Sequence, residues 1–240
     1  MKVCIVLPTY NEKYNLPLVL DGLRDVFKTI SNFDMSVLVV DDNSPDKTYE
    51  IAAEYMKKHS FVKLLKREKK EGLGAAYIAG MKYAIEKLDA DILFEMDADL
   101  SHDPKEIPNF LDNINAGYDF VIGSRYIKEG KVVGWSPIRI VVSKTGNLLS
   151  TAVAGIKNIK DCTSGYRAIR TDILKKIDLN QLKVGGYAFQ ISLLHKALNK
   201  NAKIVEMPIT FIDRTHGDSK LSKKDILEFL INSFRLRFNK

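Results

Sequence analysis

Residues 92–100, Ile92-Leu93-Phe94-Glu95-Met96-Asp97-Ala98-Asp99-Leu100, run from an apolar stretch into two acidic side chains. The apolar part has the character of a buried strand, so Asp97 and Asp99 fall at its carboxyl end. Two residues apart, they project the same way in extended chain and converge in a turn that follows. Hard oxygen donors so placed suit Mg2+ or Mn2+, ions that keep further positions for a substrate phosphate. An isolated Asp-x-Asp is more often a solvated acidic turn, so the neighbouring strands decide the matter.

Similar strand-like runs lie at 3–7, 35–40, 62–66 and 119–123. They alternate with segments of helical period, clearest in Leu16, Leu20, Leu23, Phe27 and Ile30. This predicts an α/β fold with a mainly parallel sheet flanked by helices, in which ligands sit beyond the carboxyl ends of the strands. The loops at that edge are polar throughout. Pro8-Thr9-Tyr10-Asn11-Glu12 follows the first strand and Asp41-Asp42-Asn43-Ser44-Pro45-Asp46 the second, while Gly123-Ser124-Arg125-Tyr126 ends the fifth. Asn43 to Asp46 also fit simple turn and helix-cap chemistry. With Asp97 and Asp99, four such loops on one rim point to a shared site where a guanidinium meets two carboxylates.

The 240 residues suit one domain, and 45% hydrophobic with 28% charged residues is ordinary for a globular protein. Cys4 and Cys162 are far apart and lack metal-ligand spacing, so neither a disulfide framework nor a zinc site is suggested, and a reducing cytoplasm fits. Met1-Lys2 leads straight into Val3-Cys4-Ile5-Val6-Leu7, too short for a signal-peptide core. No run reaches the roughly 20 apolar residues of a membrane-spanning helix. The net charge of +7 asks for an acidic partner: nucleic acid, a phosphorylated small molecule or an anionic membrane face. Without zinc-finger spacing, an aromatic RNA-binding strand motif or a basic block, nucleic acid is disfavoured.

Beyond residue 125 the rhythm loosens. Residues 137–154 mix apolar runs with Arg139, Lys144 and Asn147 and read as an interrupted amphipathic helix. Asp161 to Arg167 form a polar loop leading into a short strand, followed by an expected helix over 188–199 and strand over 203–211. Residues 222–240 predict an amphipathic basic helix. It opens on Ser222-x-x-Asp225, a capping-box-like start, carries Ile226, Phe229, Leu230 and Phe234 on one face, and ends with Arg235, Arg237 and Lys240.

Taken together, Pro8 to Glu12, Val40-Asp41-Asp42-Asn43-Ser44-Pro45-Asp46, Asp97-Ala98-Asp99, Gly123 to Tyr126 and Arg214-x-x-Gly217-x-Ser219-Lys220 resemble the family 2 inverting glycosyltransferases. Among these they are similar to the dolichol-phosphate (polyprenyl-phosphate) mannosyltransferases. The resemblance implies a single GT-A catalytic domain, Rossmann-like, over 1–221, with 222–240 as a membrane-facing helix. It implies transfer of mannose from GDP-mannose to a polyprenyl phosphate on the cytoplasmic face of a membrane. Pro8, Tyr10, Glu12, Val40 and Asp42 would hold the nucleoside, with Asp42 on the base, while Asp97, Ala98 and Asp99 serve ribose, metal and diphosphate. Ser101 stands where some relatives carry a metal-reaching glutamine; its hydroxyl is a shorter and weaker ligand. Arg125, Arg139, Arg214 and Lys220 match positions around the donor and acceptor phosphates, with Arg125, Arg139 and Ser143 on the acceptor side.

The chemistry of such a transfer fits these residue types. A phosphate monoester has its second pKa near about 6, so a lipid phosphate is already a dianionic nucleophile and needs no strong base. The site must supply cations that bring two phosphates together and charge that stabilises the departing diphosphate. Guanidinium forks bind phosphate oxygens in pairs and never lose their charge. Direct attack at the anomeric carbon with inversion is expected.

Arg214 and Lys220 flank a polar loop expected to close over the donor as a lid, with Gly217 as a hinge point. His102 is expected at a helix start. Trp135 fits either an interfacial anchor or a loop plug. Two other functions suit the same residues: a polyprenyl-phosphate glucosyltransferase or related enzyme using a UDP-sugar, and a non-catalytic nucleotide-binding subunit. A nicotinamide dehydrogenase does not, because Gly72-Leu73-Gly74 lacks the third glycine and follows the third strand. Peripheral membrane attachment is expected through 137–154 and the basic C-terminal helix, or else through a small membrane-protein partner.

Overall fold

The five expected strands are present: β1 (Lys2–Thr9), β2 (Asp34–Asp41), β3 (Val62–Lys66), β4 (Ile92–Glu95) and β5 (Phe120–Ser124). Between them run α1 (Asn15–Phe27), α2 (Thr48–Lys58), α3 (Leu73–Lys87) and α4 (Ile107–Asn115). Then follow β6 (Lys131–Val133), α5 (Pro137–Ala154), β7 (Arg167–Arg170), α6 (Thr171–Leu174), α7 (Gly186–Asn199), β8 (Ile204–Pro208) and β9 (Thr210–Ile212). The computed structural model describes residues 1–182, 186–213 and 233–236.

The helical period of α1 has the expected consequence: Leu16, Val19, Leu20, Leu23 and Val26 are buried along one face. Glu12 starts this helix, its carbonyl accepting the Asn15 and Leu16 N–H groups and its carboxylate the Asn15 side-chain amide. Along β1 the side chains alternate between two cores. Val3, Ile5 and Leu7 join the residues of α1 and α4 on one face of the sheet, while Cys4 and Val6 join those of α3 and α7 on the other. Burial on both faces is why the strands read as unbroken apolar runs. Gly80 lets α3 lie close against the sheet, since a Cβ there would overlap Val6 Cγ1 and lie 2.9 Å from Val40 Cγ2.

The main sheet has the order β3-β2-β1-β4-β7-β5-β8. Its strands are parallel except β7, which runs antiparallel to both β4 and β5. The carboxyl ends of β1, β2, β4 and β5 therefore share one rim, and the loop that enters β7 reaches that rim from the opposite direction. The single strand expected over 203–211 is divided. Ile209 donates its N–H to Ser124 at 3.1 Å and accepts from Lys131 at 2.9 Å, so the chain changes sheet there. β9 then pairs with β6 in a small parallel ribbon.

The interrupted helix of 137–154 is instead continuous over 18 residues. Ser136 caps its start by accepting the Arg139 N–H at 3.3 Å, and Gly155 ends it in the left-handed conformation at φ 72°. Its polarity is inverted. Asn147, Ser150 and Thr151 face inward, while Ile138, Val141, Val142, Leu148 and Leu149 are exposed. Among the described residues, no helix is long and apolar enough to cross a membrane. The helix expected over 222–240 lies outside the described residues except at 233–236, which are helical. There Leu236 packs on the core beside α3 and α7, whereas Phe234 is exposed.

Candidate active site

The strand order reverses at β1, so the loops leaving β1 and β4 open a crevice between them, the usual place for a ligand in such sheets. The first wall of the crevice is built by turn chemistry. Buried Asp41 accepts Thr9 Oγ1 at 2.9 Å, the Ser44 N–H at 2.9 Å and Ser44 Oγ at 2.7 Å. Asn11 N–H donates to Ser44 Oγ and Glu12 N–H to Thr48 Oγ1, lacing the two loops together. Asp46 accepts from the Thr48 N–H and hydroxyl, so Ser44 and Asp46 serve the loop itself.

Asp42 is the carboxylate of this motif with a different partner. Arg67 binds it through Nη1 and binds Glu71 through Nη2 at 2.7 Å. Burial pushes the Asp42 carboxyl up, and the Arg67 charge and hydrogen bond pull it only part of the way back. Beside it the Lys70 ammonium sits 3.8 Å from the centre of the Tyr10 ring. Pro8 and Tyr10 are half-buried. Val40 is not on the rim: its side chain is fully buried in the core against Gly80, which leaves only its main chain for a nucleoside.

The second wall is the acidic turn. Leu100 adopts φ 67°, which swings the chain so that Ser101 N–H donates to Asp99 Oδ1 at 3.1 Å. Tyr77 hydroxyl donates to Asp97 Oδ1 at 3.2 Å from α3. His102 Nδ1 accepts the Asp97 N–H at 3.0 Å, and its ring stacks on Tyr166 at 4.7 Å. Burial holds this imidazole down, to about 4, so it is neutral with its proton on Nε2. The helix start expected of His102 belongs to Asp103, whose carboxylate accepts the Lys105 N–H at 2.9 Å; His102 closes the acidic turn.

Asp97 is half-buried and Asp99 is buried, and Ser101 Oγ is a buried hydroxyl without a hydrogen-bond partner among the described residues. Two carboxylates and an unsatisfied oxygen fit a hard cation. No group of three His, Cys, Asp or Glu stands ready for a metal among the described residues. The donor set thus suits an ion that takes its remaining oxygens from phosphate and water. Beneath Asp97, Glu95 is fully buried, its carboxyl raised by burial to about 7 although Arg167 across the strand pair opposes this. Arg167 in turn holds the Gln190 and Cys162 carbonyls at 2.9 and 2.7 Å, tying α7 and the loop before β7 to the floor of the site.

The third wall carries the cations. Arg125 is buried, and its Nε and Nη2 grip the two Asp161 oxygens at 2.8 Å each, with Nη2 also donating to Thr163. Burial works to raise the Asp161 carboxyl, and the Arg125 charge and hydrogen bonds outweigh it, leaving it below the usual range. Asn147, on the inner face of α5, joins this network through Thr163. Arg139 and Ser143 lie one turn apart on α5 and so share a face. Ser143 accepts the Tyr126 hydroxyl at 2.6 Å; Arg139 pairs with Asp213 at 2.9 Å and stacks on Trp135. Phe211 touches both His102 and Trp135, so the acidic and basic walls meet across one ring.

Arg125, Arg139 and Ser143 are thus brought together, as are Asp97, Asp99 and Ser101, while Arg214 and Lys220 lie outside the described residues. Sequence reasoning missed Arg67, Tyr77, Asp161, Asn147 and Phe211. The Asp161-x-Thr163 spacing in a loop already noted as polar was the one available signal; the others look like ordinary helix, loop or strand positions.

Residues 4–178 match the pattern of glycosyl transferase family 2. The chain belongs to that family. It is a glycosyltransferase of single-domain GT-A fold. It is 41% identical over 235 residues to undecaprenyl-phosphate mannosyltransferase of Micrococcus luteus, covering 98% of this chain and 93% of that one. To polyprenol monophosphomannose synthase of Mycolicibacterium smegmatis it is 42% identical, with 95% and 83% covered. To dolichol-phosphate mannosyltransferase of Pyrococcus furiosus it is 39% identical, with 98% of this chain and 64% of that one covered. The glycosyltransferase fold also superposes on glucosyl-3-phosphoglycerate synthase of Mycobacterium tuberculosis, solved with Mn2+ and UDP-glucose. That likeness has a TM-score of 0.69 at 19% identity, covering 98% of this chain and 78% of the other.

Proposed function

We propose that this glycosyltransferase moves mannose from GDP-mannose to a polyprenyl phosphate at a membrane surface. The observation that carries the reading is the meeting, on one rim, of an acidic turn, paired arginines and a helix with its apolar side outward. A soluble nucleotide sugar and a lipid with a phosphate head need these three surfaces together. The names of three relatives, each matched over at least 95% of this chain, agree with it.

Asp42 favours a guanine base. Guanine presents its N1–H and N2–H side by side, a pair that a carboxylate accepts with both oxygens, whereas uracil presents one N–H between two carbonyl oxygens. Arg67 orients that carboxylate and favours its charged form. A divalent cation held by Asp97, Asp99 and Ser101 would supply Lewis-acid stabilisation of the departing diphosphate. The acceptor phosphate, already dianionic, is oriented by Arg125, Arg139 and Ser143 for attack at the anomeric carbon from the face opposite the diphosphate, which inverts that centre.

The exposed Ile138, Val141, Val142, Leu148 and Leu149 suit insertion into the headgroup boundary as a peripheral attachment to the cytoplasmic face. The test is transfer of radiolabelled sugar into organic extract, offering GDP-mannose and UDP-glucose separately with a polyprenyl phosphate and Mg2+ or Mn2+. Chelator-sensitive lipid product from GDP-mannose alone supports the reading; product from the uridine donor alone changes donor and sugar. Binding to anionic liposomes at low salt tests the attachment, and its failure would transfer that role to a membrane-protein partner.

A further inference from the structure

The indole of Trp135 lies against both arginines of the basic wall. Arg139 Cζ is 3.9 Å from the ring centroid and Arg125 Cζ is 5.5 Å from it, with Phe211 packed edge-on at 5.5 Å. The two arginines are held unequally. Arg125 is clamped by Asp161 and Thr163 inside the protein, so its place is set without the indole. The Arg139 side chain is 42% exposed on the first turn of α5, paired with the partly exposed Asp213. Such an exposed ion pair does little to hold a long side chain in one geometry. The face of the indole does more, because it fixes the plane of the guanidinium and attracts its charge.

A second observation falls on the same ring. Trp135 Nε1 is buried and has no hydrogen-bond partner among the described residues. A buried N–H without an acceptor is costly, and an oxygen-rich anion between the two arginines is an acceptor of the missing kind.

We propose that Trp135 is the positioning residue of the acceptor-phosphate subsite, its ring holding the Arg139 guanidinium beside Arg125 so that both receive one phosphate monoester. This rests on the lipid-phosphate reading above and assigns a role to a residue outside its phosphate-binding set.

Trp135 is the chain's one tryptophan and therefore its own reporter. Wild-type protein titrated with a short-chain prenyl phosphate in detergent is expected to show a saturable change in emission that the matching prenyl alcohol does not produce. No response, or the same response to both, overturns the proposal. Kinetics of two variants give a second arm. Trp135→Phe keeps a ring face and is expected to raise KM for the lipid phosphate roughly 3-fold, and Trp135→Leu roughly 10-fold or more. KM for GDP-mannose and the thermal midpoint stay at the wild-type values in both. A packing role alone would lower the midpoint and raise both KM values together, and an unchanged lipid-phosphate KM in the leucine variant would equally overturn the proposal. If the wild type yields no lipid-linked mannose yet its emission responds to the phosphate and not the alcohol, the transfer reading fails and the phosphate site stands.

Discussion

Replacing Asp161 with asparagine removes one charge from a buried pair and leaves the Arg125 guanidinium in place. The Asp161 side chain is 0% exposed and that of Arg125 5%, and the pair shares two hydrogen bonds of 2.8 Å. Breaking a buried pair by removing one partner costs about 3–5 kcal/mol, because the remaining charge stays buried without compensation. Asparagine keeps one acceptor oxygen, which puts the expected loss at the lower end, about 3 kcal/mol. In a chain of this length that lowers the thermal midpoint by roughly 6–12 °C. The Asp161 carboxyl is depressed in the folded state, so its stabilisation is fully present above the unfolded value of about 3.9 and is lost as pH falls through the folded value. The gap between wild type and Asp161→Asn is therefore constant across neutral pH and narrows only below about pH 4. Urea denaturation at pH 7 measures the loss, and a double-mutant cycle with Arg125→Met isolates the pair, with a coupling of about 2 kcal/mol or more expected. A loss under about 1 kcal/mol would refute the view that Arg125 depends on Asp161 for its charge balance.

Asp99→Asn is expected to lower sugar transfer at least roughly 100-fold, while calorimetry without metal finds GDP binding nearly unchanged; equal loss of both would place Asp99 in nucleotide binding alone. Arg67→Met removes the group that pulls the Asp42 carboxyl down, so burial raises it further. GDP binding is then roughly 10-fold weaker at pH 7.5, and because the Asp42 carboxyl is raised further, binding to the variant weakens at a higher pH than binding to the wild type as pH falls, a trend that calorimetry at several pH values checks. Gly80→Ala forces a methyl against Val6 and Val40 where α3 meets the sheet, and a destabilisation of about 1–3 kcal/mol in urea is expected.

The parts of the site that were legible are those that local rules write into neighbouring residues. The strand of Ile92 to Glu95 and the acidic turn after it are contiguous, and Asp97 and Asp99 carry their spacing with them. The period of Leu16, Leu20 and Leu23 likewise announced α1. Asp161 was not legible as the partner of Arg125, because the two are 36 residues apart and meet only through strand pairing. Arg67 is likewise separated from Asp42 by the whole of α2. His102 was misplaced by one residue: a polar residue before a helix reads as a cap, yet Asp103 caps, and His102 turns inward to accept from Asp97.

By itself the chain of residues determined the alternation of strands and helices, since period and apolar runs act within a few residues, and with it the rim to which β1, β2, β4 and β5 deliver their polar loops. The tertiary structure decided what that rim contains. β7 enters between β4 and β5 against their direction, so the loop at 161–166 arrives where Arg125 needs a counter-charge. The buried Asn147–Thr163 network keeps the polar side of α5 inward and leaves its apolar side exposed. Both outcomes depend on which distant surfaces pair, a choice made by burial and charge balance across the whole sheet and carried by no local pattern.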